Sequence, residues 1–355
     1  MNYYTKEKLI STLNGLVNYL ELATNNMGSA IISEYGGRPL GIFPRNDYFS
    51  LLWINPKLRK IIKNNGSEIG GDRYWLSPER MFFYKNPESW GGWFCPAGLD
   101  PANYKLKEES STSCTLYTKL SIKNQLNKEN YEGDITRKIR LAEDPFNTSL
   151  DYCGIQYIDT CVLNKSDLEI NGWSLATVIS GGTQNPGTVI IPTKNNPRPL
   201  SYFRNLPKDR VFIGKNYVIF KIDVKEIYKL AIRPEDIDFS KKAKIGYVLK
   251  IPNREEYGFL VKLSDDIPKT QADCFDIARD YPESEIGVIQ SYNAESPQKE
   301  TLQFGEIELQ LNKFHTIDGK SQSKAIHQIF GYIGSKEEIF EVIDKYMGIS
   351  NPKLF

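Results

Sequence analysis

Cys114-Thr115-Leu116-Tyr117-Thr118-Lys119-Leu120-Ser121-Ile122 alternates with a period of two: Cys114, Leu116, Leu120 and Ile122 fall on one face, Thr115, Tyr117, Lys119 and Ser121 on the other. Successive side chains of an extended chain point to opposite sides, so this stretch is predicted as a strand with one buried and one wet face. The same alternation continues downstream. Ile135, Ile139 and Leu141 oppose Thr136, Lys138 and Arg140, with Arg137 placed among the apolar set. Further runs of strand character lie at 153–163, 173–179, 189–192, 211–222, 245–251, 259–263, 285–292, 304–311 and 325–332. About a dozen strands at close spacing, with almost no helix between them, predict an all-β fold of large antiparallel sheets packed face to face.

Helices are expected at both ends. Leu9, Leu13, Leu16 and Leu20 recur at helical spacing, which predicts a helix over 5–24 with Thr5 as its N-cap. Near the other end Ser335-Lys336-Glu337-Glu338 reads as a capping box. Ile339, Phe340, Val342, Ile343, Tyr346 and Met347 then form an apolar side before Gly348 stops the helix. Ala30-Ile31-Ile32 and Leu40-Gly41-Ile42-Phe43, flanking Gly36-Gly37, predict a hairpin. With no repeat, low-complexity tract or long linker, the expected organisation is a helix in 1–27 packed on one main domain, 28–333, followed by a C-terminal helix in 334–355.

Composition narrows the partners. The chain is 40% apolar and 12% aromatic, enough to fill a substantial core. Its 45 basic and 44 acidic side chains leave a formal net charge of +1, which provides no long-range field for nucleic acid or an anionic membrane. A small or neutral partner is expected, and the composition carries no sign of oligomeric state. Residues 1–20 hold Lys6, Glu7 and Lys8 and no leader-like apolar run, and no stretch approaches the roughly 20 apolar residues of a membrane span, so a cytoplasmic location is expected. Cys95, Cys114, Cys153, Cys161 and Cys274 include no CxxC and read as buried thiols. With only His315 and His327, and no HExxH, GxSxG, P-loop or GxGxxG, neither a metal nor a cofactor is expected.

The densest functional signal is Gly70-Gly71-Asp72-Arg73-Tyr74-Trp75-Leu76-Ser77-Pro78-Glu79, followed by Trp90-Gly91-Gly92-Trp93-Phe94. A glycine pair, an arginine with five fixed donors, carboxylates at Asp72 and Glu79, and Trp75, Trp90 and Trp93 suit a loop that grips a polyhydroxylated ligand. Arg73 fits either a ligand grip or a loop ion pair with Asp72 or Glu79. Arg137, on an apolar strand face, fits a site residue or half of a buried pair. On the 304–311 strand Glu306, Glu308 and Gln310 share a face, which reads either as a pair of site carboxylates or as a solvated face.

Four features, in order, resemble the galactose mutarotase (aldose 1-epimerase) superfamily, in particular its epimerase-like branches. They are the Gly70–Glu79 stretch; Asn171-Gly172-Trp173-Ser174-Leu175 leading to Gly181-Gly182-Thr183 and Ile190-Ile191-Pro192; Lys244-Ile245-Gly246; and Ile289-Gln290-Ser291-Tyr292-Asn293 followed by Glu306-Ile307-Glu308-Leu309-Gln310. The resemblance spans residues 28 to 332. It implies a β-supersandwich with a sugar site on the concave side, in agreement with the strand pattern. It also implies carboxylate general-base chemistry on an aldose or modified sugar. Glu308, in Glu308-Leu309-Gln310, matches the family's base, with Glu306 beside it, and Arg73 matches a sugar-gripping arginine. The family's acid is a histidine well upstream of the base, and here both histidines follow it; His327 on a strand, Tyr152, Tyr157 or Asp159 are the substitutes available. Two further possibilities on this scaffold are an inactive carbohydrate-binding protein and a lyase or isomerase acting on a specialised metabolite.

Overall fold

The structure, a computed structural model, describes residues 3–25, 27–275, 285–295 and 304–355. Their strands form antiparallel ladders in an eleven-stranded, a six-stranded, a three-stranded and a two-stranded sheet. The all-β architecture of large antiparallel sheets is therefore the one observed. Ser113–Lys123, the stretch quoted first, pairs with Asn130–Ala142 over its whole length, and its apolar residues are buried while Thr115 is half-buried and Tyr117, Lys119 and Ser121 are exposed.

Two sheets stacked on each other determine where everything else sits. The middle of the larger sheet runs Tyr257–Ser264, Lys320–Gly334, Asp151–Leu163, Asn130–Ala142 and Ser113–Lys123. The six-stranded sheet runs Leu200–Ser201, Tyr228–Ile232, Ile289–Asn293, Phe304–Lys313, Asn171–Ile179 and Asp72–Ser77. Ile155, Ala176, Ile307 and Ile329 belong to the continuous apolar core between them. Removing that surface from water is the main drive for stacking the sheets. The helix Lys336–Met347 covers the larger sheet's other face, where Ile339, Val342 and Ile343 pack with Val248, Phe259 and Val261. It carries the expected capping box at Ser335 and ends at Gly348 in the left-handed region (φ 66°).

Three local expectations change. The N-terminal helix spans only Lys6–Leu13, capped as expected by Thr5, whose hydroxyl accepts from the Lys8 amide. Gly15 then adopts φ 70°, and Tyr19–Thr24 is a strand paired with Met27–Ser33, so Leu16 and Leu20 do not extend the helical stripe. The 211–222 run divides into Val211–Ile213 and Tyr217–Ile222, which fold back on each other. The Gly70–Glu79 stretch is not a loop. Asp72–Ser77 is a strand of the six-stranded sheet, and Glu79–Phe83 forms a short helix after it. Among the described residues no helix is long and apolar enough to cross a membrane.

Candidate functional site

Strand register assembles one polar and aromatic surface on the face of the six-stranded sheet that points away from the larger sheet. Directly paired residues of neighbouring strands project to the same side. Trp75 pairs with Trp173, Arg73 with Leu175, Leu175 with Glu308, Glu308 with Gln290, Glu306 with Tyr292, and Tyr292 with Lys229. Gly70 and Gly71 deliver the chain onto this edge at φ 91° and 82°, passing so close to the Trp53 and Pro39 carbonyls that an added Cβ would lie 2.2 and 2.3 Å from those oxygens. Only glycine fits both requirements.

Above this surface lies a cavity of about 740 Å³, of the size of a small-molecule site. All five tryptophans of the chain, Trp53, Trp75, Trp90, Trp93 and Trp173, line it. Trp75 meets Trp173 edge-on at 5.8 Å, Trp53 tilts against Phe304 at 4.6 Å, and Trp93 stacks over Phe83 at 6.4 Å. Trp93 Nε1 donates to Glu79 Oε1 at 2.9 Å and Trp75 Nε1 to Asp100 Oδ2 at 3.0 Å, so both indoles are held by a polar anchor. Trp93 remains 44% exposed at the rim.

Two ion pairs form the polar floor. The Arg73 guanidinium lies 4.1 Å from the Trp75 ring and donates to Glu306 Oε1, and both residues line the cavity. Lys229 Nζ donates to Glu308 Oε2 at 2.9 Å, and Trp173 Nε1 donates to the same oxygen at 3.1 Å. Glu308 is fully buried directly behind Lys229 and Trp173, and its Oε1 has no hydrogen-bond partner. Burial, reinforced by the neighbouring Glu306 carboxylate and only partly offset by Lys229, pushes the Glu308 carboxyl up to about 7. Arg73 Nε, Gln290 Oε1 and Gln310 Nε2, on the same face, are likewise buried without partners. Orphaned polar atoms are rare in folded proteins, and a bound ligand or water is one way to complete them.

Of the residues singled out in the sequence, Arg73, Trp75, Glu79, Trp90, Trp93 and Glu306 line the cavity, and Glu308 lies just beneath it. Asp72, Arg137 and His327 are placed elsewhere, between the two sheets. Asp72 precedes Arg73 on the same strand, so it points to the opposite side, where Lys262 Nζ meets its Oδ1 at 2.5 Å. Arg137 forks onto both oxygens of Asp159 at 2.9 and 3.2 Å, and His327 Nε2 is 2.8 Å from Asp159 Oδ2. Arg137 is thus half of a buried pair. Its strand face is the sheet–sheet interface, which is why it falls among apolar residues. His327, stacked on Tyr157 at 4.3 Å and 1% exposed, does not reach the cavity, and neither do Tyr157 and Asp159. Tyr152 packs against Tyr332 on the other side of the larger sheet.

Lys229, Trp53 and Trp173 were not among the candidates. Lys229 occurs within Tyr228-Lys229-Leu230-Ala231-Ile232, a short run with no glycine or motif beside it. Its one available signal was a lone charge inside an apolar strand whose five residues all turn out buried.

Residues 3–161 match a family model described as a family of unknown function (DUF6786). No curated protein matches the sequence. Among solved structures, the chain is similar to a GalM/aldose epimerase homologue from C. elegans, with 9% identity, a TM-score of 0.43, and 90% of this chain and 99% of that one covered. It is also similar to a protein described as a candidate aldose 1-epimerase from Klebsiella pneumoniae, at 7% identity and TM-score 0.42, covering 93% and 83%. A 4-alpha-glucanotransferase from Thermococcus litoralis is similar over 90% of this chain at 9% identity and TM-score 0.34, and the chain spans 37% of that protein.

Proposed function

We propose that the protein is a carbohydrate-active, epimerase-like enzyme that binds an aldose or modified sugar in the tryptophan-lined cavity and uses Glu308 as general base. The carrying observation is the Glu308 carboxyl, fixed through one oxygen by Lys229 and Trp173, with its other oxygen unpartnered beneath the cavity. A carboxyl near 7 is close to the working pH of a cell, where a general base is most effective. Indole faces stack on the apolar side of a pyranose ring, and Arg73 with Glu306 offers donors and acceptors to its hydroxyls.

The test is anomer exchange followed by NMR on a panel of anomerically pure sugars. Acceleration is expected for at least one, with a loss of about 10²- to 10⁴-fold in Glu308→Gln. The rate should rise with pH through about 7, because the base works only when ionised. Glu306, Lys229, Glu79, Arg73 and Tyr292 are the charged and titratable groups that bear on that carboxyl. No acceleration for any sugar overturns the enzyme reading.

The position of His327, locked between the sheets, favours a second reading: a carbohydrate-binding protein without turnover. That protein would show saturable sugar binding, weakened by Arg73→Ala, and no exchange by either the native chain or Glu308→Gln.

A further inference from the structure

The ring opening of a hemiacetal requires an acid for the ring oxygen and a base for the anomeric hydroxyl, and neither histidine is at the cavity. His327 is sealed on the inner side of the sheet and His315 lies on the exposed strand His315–Ile317. The group beside the candidate base is Lys229. Its side chain is 4% exposed, yet it lines the cavity, and of its three donors one is spent on Glu308 Oε2. The carboxyl is held by two donors on Oε2 alone, so Oε1 is left as the reactive oxygen.

We propose that Lys229 and Glu308 act as one adjacent acid–base pair on the anomeric carbon, with the Lys229 ammonium donating to the ring oxygen while Glu308 Oε1 takes the anomeric proton. The proposal rests on the epimerase reading and deepens it by naming the acid. The anomeric hydroxyl and the ring oxygen are bonded to the same carbon, so the groups serving them can be neighbours too. An ammonium and a carboxylate 2.9 Å apart fit that arrangement without a histidine on an opposite wall. In the step, Oε1 accepts the hydroxyl proton and the released electron pair becomes the second bond of the C1 carbonyl. The C1–ring-oxygen bond breaks, its electron pair stays on oxygen, and that oxygen takes a proton from Lys229. The neutral amine and protonated carboxyl then stand side by side. After rotation about C1–C2 the amine recovers its proton as the ring closes on the other face of the carbonyl, and Glu308 returns its own to the new anomeric oxygen. No oxidant, metal or further reactant enters.

Lys229 touches the sugar in this scheme, and a purely structural role is separated from it by chemical rescue. The experiment uses the full chain and the sugar most accelerated by the native protein, comparing Lys229→Ala with and without added ethylamine, and Lys229→Met as a space-filling variant. Expected are a fall in exchange rate of about 10²- to 10³-fold in both variants, sugar affinity by tryptophan fluorescence changed by less than about tenfold, and a rate in Lys229→Ala that climbs with ethylammonium and saturates. Lys229→Met should not be rescued, because its side chain occupies the amine's place. Exchange in Lys229→Ala close to the native rate, or a loss that ethylamine leaves untouched while affinity is retained, overturns the role of Lys229 and leaves the epimerase reading standing. Silence of the native protein on every sugar overturns both.

Discussion

Asp72 and Arg73 are consecutive residues that work on opposite faces of one six-stranded sheet. On the outer face Arg73, Glu306, Lys229 and Glu308 make two ion pairs at the floor of a cavity, and two of their polar atoms, Arg73 Nε and Glu308 Oε1, are without partners, as are Asp72 Oδ2 and His327 Nδ1 on the inner face. On the inner face Asp72, Lys262, Arg137, Asp159 and His327 make an ionic cluster spanning four adjacent strands of the larger sheet. The residue types are nearly the same. What differs is access: the inner cluster is closed by a second sheet, whereas the outer one faces space large enough for a ligand. A buried ion pair is costly to desolvate and is kept only with good geometry and complete bonding. Arg137 meets that condition, with its fork on Asp159 and its remaining nitrogen donating to the Gly37 and Asp72 carbonyls at 2.9 and 3.2 Å. On the function proposed above, the inner cluster serves folding and the outer one the ligand.

The largest effect that separates the two belongs to the inner cluster. Arg137→Met should cost about 3–5 kcal/mol of unfolding free energy, because it strands the buried Asp159 carboxylate and frees two backbone carbonyls. Urea unfolding measures it. The partition by face fails if Arg137→Met is as stable as the native chain but loses sugar binding.

The face of a strand residue is legible in a sequence; what covers that face is not. Period-two alternation placed Glu306, Glu308 and Gln310 together and Arg137 with Ile135 and Ile139, and the register agrees in both cases. It carries no information on whether a second sheet or a cavity lies above a given face, so for Arg137 on its apolar strand face a site residue and half of a buried pair read alike, and His327 fits a missing acid as well as a structural histidine. Asp72 was grouped with Arg73 because the glycine pair made the segment read as a loop. Gly70 and Gly71 only lead into the strand, and once Asp72–Ser77 is extended its neighbours must separate. Lys229 was invisible for a different reason. It is brought to Glu308 through the Ile289–Asn293 strand by pairings far apart in the chain, and nothing local marks it.

A smaller contrast is expected in acid. The Asp159 carboxyl, despite a burial penalty that would raise it, is held down to about 2 by the Arg137 guanidinium and by His327. A depressed carboxyl stabilises the fold above its unfolded value near 3.8 and loses that contribution as pH falls towards 2, here about 2 kcal/mol. Burial holds His327 below its usual range, so it too favours unfolding as acid is added, and Lys262 and Asp72 complete the charges around the pair. Asp159→Asn, though less stable at neutral pH, should therefore show a shallower loss of stability between pH 4 and 2 than the native chain, measured by denaturant midpoints. Glu308→Gln should leave that acid limb unchanged, since the Glu308 carboxyl changes charge near 7. An acid limb that moves with Glu308 instead would mean that the two faces titrate as one network.

The smallest effect tests the outer face alone. Trp93 and Trp173 both line the cavity, but Trp173 is 2% exposed and holds Glu308, whereas Trp93 is 44% exposed and rests on Phe83 with its indole nitrogen on Glu79. Truncating Trp173 removes core packing and a donor to a buried carboxyl, so stability and ligand binding would fall together and their causes could not be separated. Trp93 gives a cleaner measurement. Replacing it with alanine exposes no core cavity, and unfolding free energy should change by less than about 1 kcal/mol. One aromatic face in contact with a ring contributes about 1 kcal/mol, so sugar affinity should drop by about five- to tenfold. Fluorescence titration of Trp93→Ala against the native chain, with unfolding measured in parallel, reads both quantities. Unchanged affinity would place the ligand deeper, against Trp75 and Trp173, and leave the rim tryptophan as a cover for Phe83. A loss of affinity at constant stability would mean that the sugar reaches from the Glu308 floor to the rim.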